Sequence, residues 1–353
     1  MANISITKKC DRHCSYCFAK HELTHGQITD MPDHVFDKAL DFLERSNFQE
    51  ARLLGGEPTQ HPRFCEYLDK ALKRGLHVVV FSGGLIPQPA LEYMAALPVE
   101  SLSIVLNTAN PATDPGGLIS IQRKVCQKLG QKITLGVNIL SPKQNATYLF
   151  DWIDEYNLCR RIRLGIAHPI WGGNNVFFTI RSPRQIPVLE NLFLFGITRD
   201  VTVSFDCGFT PCMFSLDFVE SYPEIFTQSE AENCPSGIQQ TGSNNSGHKN
   251  PVNKAELLEK LGVRCNPVID ILPEGDCIAC YALSRFRRFP IPETGDRNDL
   301  VSSFIDELLP PLPIGVHREC LYCDFRTKNI CGGGCRARRA MRLRPDSSIP
   351  LHS

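Results

Sequence analysis

Short apolar runs recur roughly every 25–30 residues through the first half of the chain, and stretches of helical patterning separate them. The runs are Ile4–Thr7, Ala51–Leu54, His77–Phe81, Leu102–Leu106, Thr134–Ile139 and Ile162–Ile166. Between the first two, Val35, Phe36, Ala39, Leu40, Phe42 and Leu43 keep the i, i+3/i+4, i+7 spacing of an amphipathic helix, with Asp33 expected to cap it after Pro32. Strands alternating with helices predict a parallel sheet. Six such units predict an α/β fold, a partial (β/α)6 TIM-like barrel that falls short of the eight units of a closed one.

In such barrels ligands gather at the carboxyl ends of the strands. Here the first run leads into a three-cysteine loop and the second into Gly55-Gly56-Glu57-Pro58. The third ends in Ser82-Gly83-Gly84, the fourth in Asn107, the fifth around Asn138, and the sixth in His168-Pro169 and Trp171-Gly172-Gly173. Polar or glycine-rich residues at every strand end on one rim imply a shared ligand.

The loop carries Cys10, Cys14 and Cys17 in a CxxxCxxC spacing. Three thiolates on a four-iron cluster leave one iron without a protein ligand, open for chemistry. A zinc knuckle or half of a disulfide framework is the other reading of three close cysteines. Zinc prefers four closed ligands, and only His13 and His21 stand near enough to complete such a set. In the second turn, glycine lets backbone approach a ligand, and Glu57 has the charge to bind an ammonium.

The cysteine loop and the GGEP turn together resemble the radical S-adenosylmethionine (radical SAM) superfamily. The resemblance implies that Cys10, Cys14 and Cys17 hold a [4Fe–4S] cluster whose open iron is chelated by SAM. It implies one-electron cleavage of SAM to methionine and a 5′-deoxyadenosyl radical, which takes a hydrogen atom from a substrate. Gly55, Gly56, Glu57 and Pro58 would hold the amino group of SAM, and Tyr16 would lie near its adenine. Ser82, Asn107 and Asn138 are candidates for its carboxylate and ribose hydroxyls, and each also reads as a strand-end cap. Family members often carry an acidic residue where this chain has Asn107.

The barrel is expected to occupy residues 1–200, with residues 201–264 as a connecting segment. That segment holds an alternating strand from Val201, a second cysteine pair at Cys207 and Cys212, and a polar stretch at 228–250 that reads as a flexible loop. Residues 265–353 form the expected cysteine-rich domain. There Cys265, Gly275 and Cys280 precede Cys320-x-x-Cys323 and Cys331-x-x-x-Cys335, an arrangement that resembles the SPASM extension of radical SAM enzymes. The resemblance implies one or two auxiliary [4Fe–4S] clusters. Cys265, Cys280 and Cys335 would serve one cluster and Cys320, Cys323 and Cys331 the other. Seven residues separate Cys323 from Cys331 where the family usually has five, and no cysteine follows Cys335. Each set therefore lacks a ligand. Cys207 and Cys212 are the first candidates to supply them, before Cys234 and Cys277, and an open auxiliary iron is the other possibility. From spacing alone, Cys320, Cys323, Cys331 and Cys335 also suit a closed zinc site.

Composition narrows the partners. Sixteen cysteines in a chain with no apolar export segment point to metal rather than disulfides, and to the cytoplasm. Lys and Arg balance Asp and Glu at 38 each, so no global charge favours nucleic acid, and no run approaches the length of a membrane span. Residues 336–344 carry five arginines, which read either as a solvated helix face or as a docking surface for an acidic peptide, a phosphate or an electron donor. The resemblance implies a reductant such as flavodoxin or ferredoxin. The substrate reads as a peptide or protein, or alternatively as a sugar, nucleoside or other metabolite. Cys10 lies close to the first residue, which leaves no room before it for the leader-binding domain of many peptide-modifying members. A non-catalytic zinc-binding interaction protein is the remote alternative, and it gives GGEP and the rim no role.

Overall fold

The computed structural model describes residues 2–24, 29–111, 114, 117–167, 186–222, 265, 268–284, 286–308, 313–328 and 331–343. Seven parallel strands lie side by side in chain order: β1 (Ala2–Thr7), β2 (Glu50–Gly55), β3 (His77–Ser82), β4 (Leu102–Asn107), β5 (Ile133–Ile139), β6 (Arg161–Ile166) and β7 (Thr202–Phe205). The six expected strands are all present, each extended by a residue or two. On the other edge, β8 (Ile269–Ile271) pairs parallel with β1, and β9 (Asp276–Ile278) and β10 (Phe289–Pro290) follow antiparallel, giving a ten-stranded sheet.

The helix Asp33–Arg45 buries the six apolar residues of its stripe against the sheet. Phe36, Leu40 and Leu43 are fully enclosed, each contributing about 1.5–3 kcal/mol relative to exposure. Asp33 does not cap this helix: Pro32 holds the N-cap position and makes no side-chain cap bond. The Asp33 carboxylate turns to the next helix instead, where it pairs with Arg63 and accepts from the Tyr67 hydroxyl at 3.1 Å. A neighbouring guanidinium outcompetes the helix's own amides for that charge.

The boundary expected near residue 200 is not a break in the sheet. Arg161–Leu164 of β6 pairs with Thr202–Phe205 of β7, so the connecting strand is a seventh barrel strand. The C-terminal region is equally interlocked, because one buried apolar cluster runs from Ala2 through Phe304 to Ala340. Asn3 on β1 donates to Asp270 on β8 at 2.6 Å, and burial pushes that carboxyl up to about 7. Arg45 donates to the Pro292 carbonyl at 2.6 Å, and Arg288 grips buried Glu22 through both carboxylate oxygens at 2.8 Å. These ties fix β8, β10 and the segments beside them to the β1 edge of the barrel. Among the described residues no helix is long and apolar enough to cross a membrane. The expected loop at 228–250, Cys234, and the sixth strand end at His168–Gly173 lie outside the described residues.

Candidate active site

Beyond β1 the chain turns through Cys10, Cys14 and Cys17, and all three thiols are partly accessible. The turn is held by Cys17 N–H donating to the Cys14 carbonyl at 3.2 Å. The thiols lie close enough for their charges to interact, and burial raises Cys10 and pushes Cys17 up to about 11. Thiols raised in this way become ligating thiolates only against a strongly positive centre. Three such donors on one short loop fit a four-iron cluster with a free corner.

Gly55 and Gly56 make this loop possible. A Cβ on Gly56 would stand 2.0 Å from the Lys9 carbonyl oxygen, and one on Gly55 would stand 2.2 Å from that of Thr7. Gly55 also has φ of +148°, a conformation that costs a side-chain-bearing residue energy. The bare backbone is thus needed first for its approach to the chain's own cysteine loop. Pro58 opens the 3-10 turn Pro58–Gln60, with Glu57 as its N-cap.

Glu57 points inward and is 2 % exposed. Its oxygens accept from the Thr59 hydroxyl at 2.7 Å, Thr59 N–H at 3.4 Å, the Ser82 hydroxyl at 3.0 Å and Gly83 N–H at 2.8 Å. Those donors meet most of the carboxylate's acceptor sites, so the side chain clasps the ends of β2 and β3. Ser82 is committed in the same way, since its oxygen also accepts from Gly84 N–H at 2.9 Å. Glu57→Gln is expected to lower stability by about 1–3 kcal/mol, because one of these donors loses its acceptor. A urea midpoint equal to the parent's, at unchanged slope, would show that the clasp contributes nothing.

Asn107 and Asn138 stand on the rim at equivalent places. The Asn107 side-chain oxygen lies 2.8 Å from where a Cβ on Gly136 would be, and that of Asn138 lies 2.4 Å from the matching point on Gly165. A glycine on the next strand makes room for each asparagine. Tyr16 hydrogen-bonds with Asn138 and with Cys14, and burial, offset in part by Arg12, pushes its phenol up to about 12. Tyr16 and Asn138 are therefore joined to the cysteine loop at the fifth strand end.

Two residues of this site escape a reading from sequence. Arg12, inside the cysteine loop, spans the mouth and donates to the carbonyls of Asn107 and of Thr108 at 3.1 Å and to the Tyr16 hydroxyl at 3.4 Å. Gln122 is fully buried and donates to the Gly83 carbonyl at 2.8 Å and the Asn107 carbonyl at 2.9 Å. Its signal was a polar residue inside the buried stripe of the helix Leu118–Leu129.

The remaining cysteines fall into two groups. The Cys265 thiol hydrogen-bonds with Cys335 and feels the charge of Cys280, while Cys280 feels Cys335 and Cys207. Cys212, whose thiol meets the Thr210 hydroxyl at 3.2 Å, feels Cys331, Cys320 and Cys323. Cys331 in turn feels Cys320 and Cys323. The groups are thus Cys207, Cys265, Cys280 and Cys335, and Cys212, Cys320, Cys323 and Cys331. The hydrogen bond with Cys335 and then burial raise Cys265, and burial raises Cys280, Cys212 and Cys331, so each group, like the first loop, suits a positive metal centre. The zinc quartet that spacing allowed is not assembled, because Cys335 lies with Cys265. Cys277 is buried in β9 and feels only Asp276 and Asp270, which leaves it outside both groups. Among the described residues no three Cys, His, Asp or Glu side chains converge tightly enough for a single metal ion.

Residues 4–139 match the family model of the radical SAM superfamily. Over those residues the chain carries a radical SAM domain. Two curated relatives extend the match. A tungsten-containing aldehyde ferredoxin oxidoreductase cofactor-modifying protein of Pyrococcus furiosus is 28% identical over 40% of this chain and 44% of its own length. An S-adenosylmethionine-dependent nucleotide dehydratase of Selenomonas ruminantium is 31% identical over 31% of this chain and 40% of its own. The chain thus spans less than half the length of either relative. Solved structures match nearly end to end. SuiB of Streptococcus suis bound to S-adenosylmethionine superposes on 98% of this chain and 74% of its own, with a TM-score of 0.62 and 16% identity. The native enzyme anSMEcpe with bound AdoMet does so over 99% and 92%, again with a TM-score of 0.62 and 16% identity. These superpositions carry the likeness of fold through the C-terminal cysteine region.

Proposed function

We propose that this radical SAM enzyme cleaves SAM reductively at a cluster held by Cys10, Cys14 and Cys17, abstracts a hydrogen atom from a peptide or protein, and carries two closed auxiliary clusters. What supports this reading is the pattern of charge interactions among eleven cysteines: Cys10, Cys14 and Cys17 act on one another at the barrel mouth, and eight others fall into two sets of four. When bound, the open cluster and SAM would supply one-electron bond cleavage and hydrogen-atom abstraction, chemistry beyond the reach of side chains. The protein's own part is to place and shield them. Gly55 and Gly56 seat the cysteine loop on β1, Glu57 locks β2 to β3, and Arg12 ties the loop to the carbonyls of Asn107 and Thr108. Tyr16, joined to Asn138, supplies an aromatic face beside the loop.

A peptide substrate draws support from the end-to-end likeness to SuiB, which has also been solved with its precursor peptide SuiA bound. A metabolite substrate is the second reading, favoured by 31% identity over 119 residues to a nucleotide dehydratase. Flavodoxin or ferredoxin would serve as reductant. The deciding assay is anaerobic 5′-deoxyadenosine formation with SAM, a strong reductant and fractionated host extract. Stimulation by the retained protein-and-peptide fraction is expected. Stimulation by the small-molecule filtrate alone would retire the peptide reading.

A further inference from the structure

The arginines after Cys335 have no part in that reading, and their surroundings give them one. The helix Arg336–Leu343 begins directly after the cysteine, which places Arg338 and Arg339 at i+3 and i+4 from it, on its own face. These two are not the solvated charges that a basic run suggests. Arg338 donates to the carbonyl of Ala167, next after β6, at 3.2 Å. Arg339 donates to the Pro313 carbonyl at 2.7 Å and the Gly332 carbonyl at 3.2 Å. Among the described residues neither makes an ion pair with a carboxylate. The charges acting on Arg338 are those of Cys335 and Cys207. Arg339 feels Arg336 and Arg326, and then Cys265 and Cys320. Arg338 therefore borders the first cysteine group, and Arg339 lies between the two.

A guanidinium drawn out of water needs an anion beside it. A four-iron cluster with four thiolates carries net negative charge that grows by one on reduction. We propose that Arg338 and Arg339 are counter-charges of the auxiliary clusters and raise their reduction potentials, Arg338 acting on the first cluster and Arg339 on both. This rests on the two-cluster reading above. A fixed cation stabilises the more negative, reduced state, and charge near a cluster is one of the protein's levers on its potential. The bonds to Ala167, Pro313 and Gly332 hold the two guanidiniums in place.

The test is potentiometric titration of the anaerobically reconstituted full chain, followed by electron paramagnetic resonance. Arg338→Gln is expected to lower the midpoint of one auxiliary signal by about 59 mV, a tenfold change in a one-electron equilibrium, at unchanged iron content. Arg339→Gln is expected to lower both. Arg338→Lys keeps the charge and should hold the parent midpoint, which a purely structural role for the Ala167 bond would not allow. Parent midpoints in both Gln variants, or equal shifts in Arg338→Gln and Arg338→Lys, would overturn the proposal. If Arg338→Gln sheds its cluster, iron retained in Arg338→Lys supports charge compensation, and iron lost there overturns it. Failure of the two-cluster reading itself shows separately, as a parent protein with only about four irons.

Discussion

Replacing Cys10, Cys14 and Cys17 together with alanine is expected to abolish 5′-deoxyadenosine formation while most of the iron stays bound. The three thiols share one loop and lie within range of one another's charges. The other eight candidate ligands come from segments beyond residue 200. Removing the first set should therefore cost about four irons and leave about eight. Fold should survive, since all three side chains are partly accessible and the loop is anchored by the packing of Gly55 and Gly56. Iron analysis and product formation on the same preparation separate the outcomes. Residual product from the triple variant would refute the assignment of the reactive cluster. Loss of all iron would mean that the cysteine groups depend on one another.

Much of this site was legible in the chain because its determinants are local. The strand runs, the stripe from Val35 to Leu43 and the spacing of the first cysteines each lie within one element or turn, where periodicity and spacing carry the information. What escaped depends on contacts between distant segments. Glu57 reads as a charged ligand-binder, yet its partners Ser82 and Gly83 arrive only when β3 pairs with β2. Asn107 and Asn138 are visible as polar strand ends, while the glycines that make room for them are set by the register of the next strand. Arg12 is one charged residue in a polar loop, and nothing beside it announces that it reaches the ends of β3 and β4, at the Gly83 and Asn107 carbonyls. The arginine run looks solvated because composition cannot tell which turn lies beside the C-terminal cysteines.

The cysteines at 207 and 212 show where inference from sequence changes character. The family spacing accounts for three ligands in each C-terminal group and leaves the fourth undetermined. In the structure β7 pairs with β6, and of the thiols that follow it Cys207 acts by charge on Cys280, while Cys212 feels Cys331, Cys320 and Cys323. Asp206 pairs with Arg163 at 2.7 Å and accepts from Cys207 N–H at 2.8 Å, which holds the backbone at the first of these cysteines. The turn Pro211–Met213 carries the second. One loop thus supplies a thiol to each group. Cys207→Ala and Cys212→Ala are expected to act on different clusters, each removing or altering one and leaving the other's spectrum unchanged. The double variant should fall from about twelve irons toward about four, with the reactive cluster intact. Mössbauer spectra of the two single variants decide it. Identical spectral losses would mean that both thiols serve one cluster, and full iron with parent spectra in Cys212→Ala would mean that its group is closed by something else. Two closed clusters leave no auxiliary iron for a substrate to bind. Their part would then be confined to carrying electrons or shaping the cavity beside the barrel mouth.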